Sequence, residues 1–160
     1  MNINTNFVIA QPVILILFLA LCCVSCTTNE GSLNKQKQIE EIVEQINLIE
    51  ALPPKQGEPL EDKHALAIVS LGKKASPYLV KKITDTTPTP IFYLFQYKVG
   101  DIALVLLHEI YHTSSWPSPE GSLTIPQRYG DYRDYVDFVS TLEGRTQLKK
   151  SWEDFLKASK

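Results

Sequence analysis

"HALAIVSLGKKASPYLVKKITD", residues 64–85, is the stretch whose reading decides the fold. It begins inside "LEDKHALAIVSLG", where apolar residues recur at helical spacing and Gly72 closes the run, as glycine often does by accepting the left-handed backbone that ends helices. Only three residues later a second start signature follows. Ser76 is placed as the cap, and Pro77 fits the first turn because the amide it lacks would be unpaired there anyway. That helix is expected to reach about Asp85. Two helices joined so tightly form an antiparallel pair.

The pattern continues on both sides. Upstream, Ile39, Ile42, Val43, Ile46 and Ile49 make one apolar stripe on a Lys-, Gln- and Glu-rich background, predicting an amphipathic helix over Leu33 to Leu52 that "PPKQGEP" breaks. Downstream, the prolines of "TTPTPIFYLFQYKVG" forbid a helix. Its run from Ile91 to Val99 reads as one extended strand or a packed loop, and one strand cannot make a sheet. Asp101 is placed as the cap of a very apolar helix through His112. "SSWPSPEGSLTIP" is a loop by composition, and two helices close the chain, with Tyr132, Tyr135, Val136 and Val139 on one stripe and Leu148, Trp152 and Phe155 on the other. The tyrosines are read as core residues with hydroxyls at the surface. The expectation is an all-α fold of about six helices in antiparallel pairs, with one long aromatic insertion loop.

Residues 64–112 resemble a HEAT-type helical repeat. The matching positions are Leu71, Gly72, Ala75, Pro77, Leu79, Ile83, Asp85, Val99, Ala103, Leu106 and Ile110. Gly100 stands where such repeats commonly have Arg, and the insertion from Thr86 to Lys98 is long for a repeat turn. The resemblance implies a small array, with a preceding helix pair in 33–72 and a closing pair in 130–158, and a scaffold or binding surface rather than chemistry.

The N-terminus supplies a compartment. An uncharged apolar run from Val13 to Val24 is of signal-peptide length and short for a spanning helix. It ends in "CVSC" followed by "TTNEGS", which resembles a bacterial lipoprotein signal with Cys23 where Leu is usual. The resemblance implies a signal peptide over 1–25, a lipidated Cys26, a tether over 26–32 and a domain over 33–160, facing the periplasm or exterior from a membrane of the cell envelope. Two or more acyl chains anchor stably, since each buried methylene adds about 0.8 kcal/mol. Because Cys22, Cys23 and Cys26 are the three cysteines, residues 27–160 hold no disulfide, thiolate site or cysteine nucleophile. The 160-residue chain has a net charge of -2, without the basic excess that nucleic acid would favour, so no nucleic-acid partner is expected.

One motif has catalytic spacing. His108, Glu109 and His112 in "HEIYH" match HExxH, in which two imidazoles four residues apart share a zinc ion and the Glu activates the bound water. On a helical wheel of about 100° per residue, Ile102, Ala103, Leu104, Leu106, Leu107, Ile110 and Tyr111 cover an apolar arc of roughly 200°. The three polar residues fall outside it, as the exposed stripe of a core helix would. His64 lies upstream, so a downstream third ligand has to be an acid such as Asp131, Asp134, Glu143 or Glu153. The sequence therefore reads as a lipid-anchored, non-catalytic interaction module with a protein partner and no cofactor. The alternative is a zinc metallopeptidase using His108 and His112 as ligands and Glu109 as base. A third reading is a small-ligand pocket around Phe92, Phe95 and Tyr97.

Overall fold

The computed structural model describes residues 31–53, 58–113, 117–119, 123, 125, 128 and 130–159. The apolar run and the three cysteines, with Cys26 as the expected lipidation position among them, lie outside the described residues. The chain divides into two units, Met1–Gln38 and Ile39–Lys160. In the first, residues 31–38 are helical and exposed.

The second unit opens with helical residues 39–44 (α1), which tighten into a 3-10 turn at Gln45–Leu48 and bury Val43, Ile46 and Ile49. Asp62 starts the next helix, Lys63–Ser70 (α2), by accepting the amides of His64 at 2.9 Å and Ala65 at 3.0 Å. Gly72 then takes φ +57° at the turn. The chain passes through a 3-10 turn, Gly72–Lys74, into Ser76–Lys82 (α3). Ser76 does not cap it. Ala75 is already helical, with φ -73° and ψ -25°, so the extended residue from which a side chain folds back is missing, and Ser76 is buried in the first turn.

The insertion is the correction to the all-α expectation. Residues Pro88–Phe92 (β1) and Gln96–Lys98 (β2) pair antiparallel, with Phe92 opposite Gln96 and Pro88 opposite Lys98 and a shift of register between. Thr89 and Ile91 point inward while Pro88, Pro90 and Phe92 point out. The Thr89 hydroxyl ties the strands by donating to the carbonyl of Tyr97 at 2.9 Å. Prolines at the outward positions of β1 carry no N–H, which blunts that edge against further pairing.

Val99–Tyr111 (α4) follows directly. Asp101 is its third residue rather than its cap, and reaches back to accept the amide of Lys98 at 2.8 Å. Asp131 and Thr141 cap Tyr132–Ser140 (α5) and Leu142–Ala158 (α6) through the amides of Arg133 and Gly144. Among the described residues the fold is thus mostly helical, six α-helices with one two-stranded sheet. α4 lies at its centre, against α2, α3 and β2, and α3 also packs on α6. Val99 to Leu104, Leu106, Leu107 and His108 are buried along α4. None of the described helices is long and apolar enough to cross a membrane.

Candidate functional site

α4 carries polar residues at both ends. At its C-terminal end the HExxH residues part company. His108 is only 4% exposed, its ring stands edge-on to Trp152 with centroids 5.2 Å apart, and its Nδ1 bonds to the Thr113 hydroxyl. Burial pushes its pKa below the ordinary histidine value, with hydrogen bonds to the backbone at Pro117 and Thr113 acting in the opposite direction. Glu109 is half-buried. His112 lies past the last helical residue, exposed, in the left-handed conformation at φ 51° and ψ 38°.

The expected polar stripe is therefore not all exposed. The reason is α6. It sends Trp152 and Phe155 to the end of α4, where Tyr111 packs against both, and the Trp152 indole N–H donates to the carbonyl of Pro117 at 3.3 Å. A wheel drawn for α4 alone cannot show a second helix covering its polar side.

Three of the four acids considered as a third ligand have local partners. Asp131 pairs with Arg133, Asp134 accepts the amides of Arg128 at 2.9 Å and Gly130 at 2.7 Å, and Glu143 accepts from Gln147. Glu153 is half-buried on α6, and His64 bonds to Gln45. Among the described residues no group of three or more His, Cys, Asp or Glu side chains is placed to hold a metal ion.

The N-terminal end holds what sequence reasoning missed. Asp101 and Arg145 are 1% and 2% exposed and form an ion pair at 3.0 Å. The same carboxylate oxygen of Asp101 accepts the Tyr135 hydroxyl at 2.8 Å, while Arg145 also donates to the carbonyl of Ile83 at 3.1 Å. Tyr135 thus turns its hydroxyl inward, contrary to the expectation, and burial first, then the neighbouring carboxylate, pushes its pKa well up. The signal for Arg145 was present. It lies three residues before Leu148 and seven before Trp152, on the buried stripe of α6, where a guanidinium needs a partner.

Gly100 makes room for this junction. A Cβ there would stand 2.2 Å from the carbonyl oxygen of Ile83 and 2.5 Å from Nη1 of Arg145, inside any real contact distance. The cluster ties α4, α5, α6 and the end of α3 together. Each charge meets an opposite charge or a dipole in a site closed to solvent, which suits a structural tie rather than substrate chemistry.

Of the three proposed pocket aromatics, the hairpin brings two together. Phe95 stacks on Tyr97 with centroids 4.8 Å apart and leans on Tyr135, and burial raises the pKa of Tyr97. Phe92, at the end of β1, makes no ring stack with them and is 72% exposed. A cleft of about 300 Å³ beside the hairpin is lined by Leu52, Pro53, Ile91, Phe92, Tyr93 and Tyr97, with Glu50 as its charged member. A larger one of about 560 Å³ between α5 and α6 is lined mainly by polar residues such as Asp137, Thr141 and Gln147. Comparisons with protein-family models, with curated proteins and with solved structures find no match, so the reading rests on this chain's own chemistry.

Proposed function

We propose that the chain is a bacterial envelope lipoprotein, anchored through Cys26, whose HEAT-like helical domain is a non-catalytic interaction module. The observation that carries the reading is a contrast of surfaces. The buried charges of the domain join helices to one another, while Phe92, Tyr93 and Leu94 face outward from the hairpin as large apolar side chains. Exposed apolar side chains grouped in this way mark contact surfaces more often than reactive ones.

The HEAT-like reading is supported by the close pairing of α3 with α4 and by Asp85, whose carbonyl accepts the amide of Gly100 at 2.9 Å where the two helices meet. At the position where such repeats commonly carry Arg, the guanidinium of Arg145 arrives from α6 and lies over Gly100. The lipid anchor is supported by the spacing of "CVSC" after the apolar run. Its test is fractionation of cells expressing the full chain. Cys26→Ser is expected to move the protein out of the detergent-extracted membrane fraction, and unchanged retention overturns the anchor.

A further inference from the structure

We propose that the tip of the β1–β2 hairpin, Phe92, Tyr93 and Leu94, is a membrane-interface wedge and that its partner is the lipid surface itself. This rests on the membrane placement proposed above, and it adds a second point of contact formed by the folded domain.

From Thr86 to Tyr97 the chain carries no charged residue, although 21% of all residues are charged. A segment entering the headgroup and upper acyl region meets the desolvation penalty of any charge it carries, so this omission suits insertion. Leu94 and Phe92 supply hydrocarbon, and Tyr93 is amphipathic, with a ring for the acyl boundary and a hydroxyl for the headgroups.

Lipid offers no hydrogen-bond partners, so a segment that enters it must satisfy its amides and carbonyls internally. A hairpin does this by strand pairing, and here the turn is closed by the amide of Tyr93 donating to the carbonyl of Phe95 at 3.2 Å. The outward prolines of β1 remove further N–H groups that would otherwise need water.

Size decides between lipid and protein. Phe92, Tyr93 and Leu94 are 72%, 57% and 51% exposed. Three side chains of this kind offer on the order of 300–400 Å² of surface, about half of the ~800 Å² that each partner contributes to a standard protein interface. A hairpin tip with so little exposed apolar area makes a poor protein contact alone. A fluid bilayer closes around it without shape matching, and burial of each large side chain strengthens the contact by roughly tenfold or more.

The test uses the full chain made by cell-free synthesis beside protein-free vesicles of phosphatidylethanolamine and phosphatidylglycerol. No acyl group is added there, so the outcome is independent of the Cys26→Ser experiment in cells. Vesicles are expected to slow amide exchange at residues 92–95 by about tenfold or more. In the Tyr93→Trp chain they are expected to shift tryptophan emission to the blue, with added quenching by lipids brominated near the headgroup. Phe92→Ser with Leu94→Ser changes exposed positions only and is expected to abolish the protection. Unchanged exchange at 92–95, a chain that does not float with the vesicles, or protection that appears only with native envelope proteins would each overturn the lipid assignment.

Discussion

The two ends of α4 hold comparable polar chemistry and put it to opposite uses. At the C-terminal end, three residues have the spacing of a metal site, yet one imidazole is buried against Trp152 and the other has left the helix in a left-handed turn. At the N-terminal end no motif is visible, yet Asp101 gathers a tyrosine, an arginine and a backbone amide around one buried carboxylate. Spacing along one helix describes what its side chains could share. Which of them meet partners is decided by other helices, α6 at both ends and α5 at one.

The sharpest way to break this contrast is to remove the carboxylate. Asp101→Ala leaves the Arg145 guanidinium buried beside a carbonyl without its counter-charge, and takes the acceptor from Tyr135. Loss of one partner from a buried pair destabilises by about 3–5 kcal/mol, and chemical denaturation of the full chain is expected to read that loss. A double-mutant cycle with Arg145→Met should recover part of it, since an apolar side chain of similar length leaves no orphaned charge. Fully additive losses would mean that the two groups are not coupled.

Next comes the space beneath the pair. Gly100→Ala drives a methyl group into the Ile83 carbonyl and the guanidinium, so α3 and α4 must separate, and a loss of about 1–3 kcal/mol is expected. Gly72→Ala provides the control. Among the described residues no atom beyond its chain neighbours lies within 4 Å of its added Cβ, so its smaller loss, about 1 kcal/mol, comes from the left-handed φ alone. Thermal melts of the two variants separate crowding from backbone strain.

How much of this was legible in the sequence follows the same division. Local rules found about six helices and the Gly72 turn, because each depends on neighbours within a few residues. The hairpin escaped because its turn, Tyr93 to Phe95, contains no Gly, Asn, Asp or Pro. The run from Ile91 to Val99 therefore looked unbroken, although the pairing across it is what satisfies its backbone. The Asp101 cluster escaped for a different reason. Its members are separated by 34 and 44 positions, and only tertiary packing brings them together.

At the other end of α4, titration distinguishes a packed histidine from an accessible one. Burial lowers the pKa of His108 in the folded chain, so below the ordinary value near 6.5 the unfolded chain binds a proton that the folded chain resists. Stability is therefore expected to be complete above about pH 6.5 and to fall as pH drops below it, with a slope of at most about 1.4 kcal/mol per pH unit from this one group. His108→Leu is expected to remove that slope. Metal analysis of the purified full chain addresses the peptidase alternative directly: stoichiometric zinc that disappears in His108→Ala would assign His108 as a ligand and favour that alternative over the packing role.

His112 provides the smallest and cleanest discrimination between the two roles of the motif. It occupies the left-handed position just past the last helical residue of α4, where glycine is the usual occupant because a Cβ crowds the neighbouring carbonyl. Its side chain is exposed, so replacement sacrifices no core packing. If His112 serves only to end the helix, His112→Gly should relieve the strain and stabilise the fold by about 0.5–1 kcal/mol, offset in part by the greater freedom of glycine in the unfolded chain. If its imidazole instead holds a metal shared with His108, the same change removes a ligand and lowers stability whenever that metal is bound. The sign of the change in melting temperature, measured with chelator and with added zinc, separates the two. A rise in both conditions identifies a helix stop, and a rise with chelator that becomes a fall with zinc identifies a ligand.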